Sequence, residues 1–201
     1  MKRFVLFFVM CSALLVACEP NNPDGGSSDE NGNQAPVISA DDYYWYRGEK
    51  IYLERGNQEY IIYDDVLLSE IDKKKLEYTE SDEYFKNPNL KWGITKPNTV
   101  ITDLEHVLYR MPSYTSEGRT NFFVTHSFLV KLKDSGDLPI LQNMAEQYTV
   151  EICKEGPLPL WYLLVCNLPS SSNALDIANR FYESGKFAVS EPNFMGGIVL
   201  L

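Results

Sequence analysis

From Phe122 to Leu132 the chain alternates. Phe122, Val124, Phe128, Val130 and Leu132 fall on one side with His126 among them, the pattern of a strand that buries one face. The period then lengthens. "KDSGD" turns the chain, Pro139 suits a first helical turn, and Leu141, Met144, Ala145 and Tyr148 form a helical stripe. "VEIC" (150–153) and "LWYLLVC" (160–166) read as strands around "KEGPLP". The second is apolar at almost every position, which predicts a strand inside a sheet covered on both faces. Ala174, Ile177, Ala178 and Phe181 make a second helical stripe, with Asn173 or Ser172 as its cap and Gly185 as its stop. "FAVSEP" then returns as a strand that Pro192 closes. The predicted class is α+β, and residues 121–195 have the order β-α-β-β-α-β, the split unit of ferredoxin-like folds.

Residues 41–120 read as a β-rich region without a clear period. Two β-rich runs, Ile51 to Glu54 and Tyr60 to Tyr63, flank "RGNQ", which predicts a hairpin turn there. The aromatic run Tyr43 to Tyr46 is assigned to the core. "EIDKKKLE" (70–77) predicts a short exposed helix, and the Pro-, Gly- and Thr-rich stretch beyond Asn87 predicts short strands and loops.

Composition adds an address. The chain of 201 residues is 44% hydrophobic and 13% aromatic, enough to fold around a sizeable core. Residues 1–17 place Lys2 and Arg3 before an uncharged run from Phe4 to Val16, the form of a secretory signal too short to span a bilayer comfortably. Leu15-Val16-Ala17-Cys18 resembles the bacterial lipobox, which implies cleavage before Cys18 and lipid on that cysteine. The hydrophilic residues up to 40 then predict a disordered tether. Loss of Lys2 and Arg3 takes the formal charge from −10 to −12, which argues against a nucleic-acid partner. Of four cysteines, Cys11 leaves with the signal and Cys18 carries lipid. Cys153 and Cys166 remain, and two readings stay open: a disulfide across adjacent strands, or two buried thiols.

Catalytic chemistry finds little to use. Asp134-Ser135-Gly136 follows a strand and resembles the Asp-Ser/Thr-Gly motif of a subtilase triad, but without the matching His and Ser motifs its better reading is a turn with Ser135 or Asp137 as helix cap. His106 has Asp103 three residues before it, the spacing of a local contact, and His126 sits among apolar neighbours. Asp41-Asp42 and Asp64-Asp65 read as solvated turn residues. Phosphate loops and Cys-x-x-Cys pairs are missing from the sequence, so no cofactor, metal site or catalytic residue is assigned and the chain is not read as an enzyme.

"LWYLLVCNLPSSSNALDIANRFYESGKFAVSEPNFM", with "YYWYRGEKIYL" upstream, resembles the N-terminal propeptide region of surface-anchored subtilisin-like serine peptidases (subtilases) of Gram-negative bacteria. The resemblance runs from about Tyr43 to Met195 and does not include the protease's Asp, His and Ser motifs. It implies a ferredoxin-like domain that assists folding of a subtilase or inhibits it, with its sheet packed on the enzyme's helices and its tail in the substrate cleft. The residues this assigns to the partner are Glu191, Pro192, Asn193, Phe194 and Met195. The edge strand at Val150 to Cys153, "KEGPLP" and Trp161 form the expected packing surface. The implied location is the outer membrane, on its exposed leaflet. Two alternatives accompany this reading: a structural surface lipoprotein that keeps the fold without inhibition, with "GGIVLL" (196–201) as an associating tail, and the remnant of a truncated protease gene.

Overall fold

The computed structural model describes residues 42–115, 121–156, 158–169 and 173–196. The expectations for the signal, Cys18, the tether and residues 197–201 lie outside them.

The first hairpin forms one step earlier than the sequence suggests. Strand β1 (Tyr43–Tyr46) pairs with β2 (Glu49–Tyr52) through Arg47 and Gly48. Both take positive φ, 50° and 89°, which is the turn whose twist matches a two-residue hairpin. "RGNQ" is not a turn. It lies inside β3 (Glu54–Asp64), whose Gly56 is needed for space, because a Cβ there would sit 2.3 Å from Ser113 Oγ on the neighbouring strand. The aromatic run of β1 is half-buried rather than core. Trp45 stacks on Tyr182 at 4.9 Å, and Tyr44 packs edge-on against Phe194.

β3 lies between β5 (Leu90–Thr95) and β6 (Val107–Thr115), and β4 (Leu76–Glu80) flanks β5. β6 then pairs with the first two residues of β7 (Phe122–Lys131), while β9 (Trp161–Cys166) pairs with Ser127 to Lys131 and carries β8 (Val150–Glu155) beyond it. β10 (Val189–Gly196) runs along the opposite edge of β7. Every pairing is antiparallel, so the chain is α+β with a largely antiparallel sheet. One buried cluster takes Leu53, Tyr60 and Ile62 from the first half together with Phe128, Leu164 and Phe181 from the second.

The two longer helices follow their stripes. α2 (Leu138–Gln147) has Pro139 in its first turn and buries Leu141, Met144 and Ala145. α3 (Ala174–Glu183) is capped by Asn173, whose side chain accepts from Asp176 N at 2.8 Å, and buries Ala174, Ile177, Ala178 and Phe181. Gly185 follows at φ 66°, where a Cβ would be strained. Asp137, one of the two expected caps, is the N-cap residue of α2, but its side chain makes no capping bond to that helix. The bonds belong to the 3-10 turn before it, where Asp134 accepts from Gly136 N and Asp137 accepts from Asp134 N in a capping box. The short helix, α1 (Glu70–Lys73), exposes Glu70 and Ile71, half-buries Lys73 and fully buries Asp72. Asp72 holds Lys75 Nζ at 2.6 Å and Asp103 N at 2.8 Å, and it also accepts from Thr102 N.

Candidate functional site: the helix-free face of the C-terminal strands

Directly paired residues of antiparallel strands point to the same face, so the register sorts the side chains of β10, β7, β9 and β8. One face carries Phe128, Val130, Tyr162, Leu164, Cys166 and Pro192. This face lies under the helices, with Phe128 edge-on to Phe181 at 5.2 Å. The other carries Ser127, Leu129 and Lys131 of β7, Trp161, Leu163 and Val165 of β9, Glu151 of β8, and Val189 and Glu191 of β10. None of these joins the cluster beneath α2 and α3. β9 is buried on both faces from Tyr162 to Cys166, as expected, although only one of those faces belongs to the cluster beneath the helices. Leu163 and Val165 are each only 7% exposed and stand outside the cluster beneath the helices.

Apolar residues occupy the middle of this face and charged ones its border. Lys131 Nζ lies 5.9 Å from the centre of the Trp161 ring. Glu151 pairs with Lys86 from the loop before β5. Burial raises the carboxyl pKa of Glu191 above the ordinary range, with Arg47 opposing the shift. Beside Ser127, Thr125 Oγ1 donates to Asn193 O at 3.1 Å and Asn193 Nδ2 donates to Ser127 Oγ at 3.0 Å.

The residues assigned to a partner-binding tail are already paired within the protein. Glu191 lies opposite Leu129, Pro192 opposite Phe128, Phe194 opposite Val124 and Met195 opposite Phe123. Pro192 is buried, and Phe194 meets Tyr44 at 4.9 Å and Phe122 at 5.3 Å. A free extended tail at these five residues is thus corrected to a sheet strand. Nor does Pro192 close that strand. Proline is tolerated on an edge strand, and the register shifts just after it, between Pro192 and Phe194. Of the expected packing surface, Trp161 and Glu151 do lie on the helix-free face.

The disulfide alternative fails on register. Cys166 lies opposite Val150, while Cys153 falls in the shift between Ile152 and Lys154, opposite Leu164 and Leu163. They sit about three residues apart along the strands, roughly 10 Å, beyond the reach of a disulfide. No disulfide joins them. Burial pushes the Cys166 thiol up to about 12, which leaves it a packing group rather than a nucleophile.

Neither histidine is arranged for acyl transfer. His106 Nδ1 pairs with Asp103 at 2.8 Å, the local contact its spacing predicts. His126 Nδ1 meets Tyr60 Oη at 3.2 Å, and its Nε2 is buried without a hydrogen-bond partner. Among the described residues no group of three His, Cys, Asp or Glu side chains is placed to hold a metal ion. Sequence reasoning did not place Leu129, half-buried, or Leu163 and Val165, buried, on the face opposite the helices. The signal that could have found them was the set of β7 residues left over by the buried alternation, Thr125, Ser127, Leu129 and Lys131. No known protein family, curated protein or solved structure matches this chain.

Proposed function

We propose that this chain is a noncatalytic, lipid-anchored binding module resembling a subtilase propeptide, and that its partner is a subtilisin-like serine protease. The neighbour order β10-β7-β9-β8, with both longer helices on one side, supports a ferredoxin-like unit in the second half of the chain. The observation that carries the reading is the helix-free face. A sheet face on which half-buried Leu129 and Trp161 lie over buried Leu163 and Val165, with Glu151, Lys131 and Glu191 at its border, has the composition of a recognition surface, apolar inside and charged around. Trp161 supplies a large anchor, and the ionic border sets orientation. The proteolytic triad is no part of this reading. The chain's contribution is to cover a protease, either to inhibit it or to template its folding.

The test is capture from the cell envelope and inhibition of the captured peptidase, comparing the native chain with Leu129→Asp and Trp161→Ala. Binding should weaken at least tenfold in the variants while their melting temperature holds. Recovery of no peptidase, together with no change in subtilase rate, would sink the proposal.

A second reading, a structural surface lipoprotein that keeps the fold without inhibiting, is favoured by one observation: residues 191–195 are held in β10 rather than presented to a cleft. It predicts the negative result of the same experiment. Both readings put the protein at the outer membrane through lipid on Cys18, for which stable attachment needs two or more acyl chains. Fractionation of Cys18→Ser checks this. Unchanged membrane recovery of the variant would rule the anchor out.

A further inference from the structure

Seven large hydrophobic side chains are strongly exposed among the described residues, and five of them gather at one end: Val66, Leu67, Ile71, Val100 and Leu104, each 52% to 72% exposed. Hydrogen bonds hold their segments together. Ser69 N donates to Asp103, Thr102 N and Asp103 N donate to Asp72, and Lys75 Nζ donates to Val100 O at 2.7 Å. Beneath them is a small separate core of Ile61, Tyr63, Leu68 and Ile101, on the side of β3 opposite Tyr60 and Ile62. The apolar residues are therefore held on a braced platform rather than on a loose loop.

We propose that this end is a self-association surface that pairs two copies of the chain. The inference does not rest on the protease reading, which uses a different face. Three features select a second copy as the occupant. First, the charges around the patch carry both signs in nearly equal number: Asp64, Asp65, Glu70, Glu77, Asp103 and Glu105 are interspersed with Lys73, Lys74, Lys75, Lys91 and Lys96 in a chain of net charge −10. Two copies repel one another least there, and a two-fold interface needs a patch that carries both signs so that it complements itself. Second, the aliphatic area is sufficient. Five side chains at these exposures present on the order of 500 Å², so two facing patches bury about 1,000 Å² before rim residues are counted, the size a specific interface clears. Third, the patch is purely aliphatic and nearly neutral, which gives an anionic lipid surface or nucleic acid little to attract.

The test is the oligomeric state of the full chain by sedimentation equilibrium over a wide concentration range. The expected result is a concentration-dependent dimer whose dissociation constant rises at least tenfold in Ile71→Asp and in Leu104→Asp. Leu158→Asp alters an exposed leucine between β8 and β9 and should leave the dimer unchanged. Circular dichroism checks that each variant is folded, and a variant that fails is replaced by Ile71→Ser or Leu104→Ser. A monomer at every concentration overturns the proposal, including one that sediments with lipid vesicles instead. So does a dimer indifferent to positions 71 and 104, or one lost on deletion of residues 197–201 while Ile71→Asp leaves it intact.

Discussion

Tyr60 of β3 and His126 of β7 meet in the interior, hydroxyl to Nδ1 at 3.2 Å, where the two halves of the chain share one core. The pair shows how a polar group predicted on an apolar strand face is accommodated. One ring nitrogen finds a partner, the other finds none, and the rings of Phe85 and Tyr109 close around it.

Burial lowers the His126 pKa below its ordinary value, with the charge of Asp82 opposing the shift. The folded state thus binds this proton less readily than the unfolded state, whose histidine titrates near about 6.5. Stability from a neutral His126 is complete above that pH and is lost as pH falls below it. His126→Gln should flatten the pH dependence of the melting temperature between roughly pH 6.5 and 5 relative to the native chain. Parallel curves for the two proteins would show that His126 does not titrate in this range.

Asp72 carries the opposite sign. Burial alone would raise its carboxyl, but bonds from Lys75, Asp103 N and Thr102 outweigh that and bring it to about 2. Its contribution is therefore present above the unfolded value of about 3.9 and is lost as pH falls toward 2. Asp72→Asn should cost about 1.5–3 kcal/mol in urea unfolding at neutral pH, the range for hydrogen bonds to a charged group. The loss should shrink in acid, and a constant difference down to pH 2 would contradict the assignment.

Phe194→Ala separates a sheet strand from a free tail. The ring packs on Tyr44 and Phe122, so its removal should cost about 1–3 kcal/mol, less than a fully buried phenylalanine. A cost below about 0.5 kcal/mol, the size of a surface change, would return Phe194 to the category of an exposed binding residue.

The cysteines can be read by mass. Under non-reducing conditions iodoacetamide should modify half-buried Cys153 well before Cys166, which is buried and whose thiol is pushed up to about 12. Recovery of a linked Cys153–Cys166 peptide would require a different β8 register.

What the sequence made legible was whatever one element decides alone. The stripe Ala174, Ile177, Ala178, Phe181 and the alternation of β7 are set by their own periods, and both are found where they were predicted. Two neighbouring Arg-Gly steps were not separable in this way. Arg47-Gly48 makes the turn, whereas Gly56 serves a contact with Ser113, far along the chain, which no local pattern announces. For the candidate site, Trp161 and Glu151 could be read as surface residues because a tryptophan at a strand start and a carboxylate need an outlet. The placement of Leu129, Leu163 and Val165 on the face opposite the helices could not. In an apolar run such as "LWYLLVC" only the position of α2 and α3 decides which face packs on the helices, and that is a property of the assembled sheet.

β7 is paired by β10 on one edge and by both β6 and β9 on the other, so it belongs equally to the sheet before it and the sheet after it. A strand held in common makes folding cooperative across the chain. Neither half completes its hydrogen bonding until the other has formed, and separating the halves between residues 115 and 122 would leave Ser113 and Tyr114 without their β7 partners and part of the shared apolar surface wet. Proteolytic susceptibility in that stretch would then report the integrity of the whole fold, not the independence of two domains.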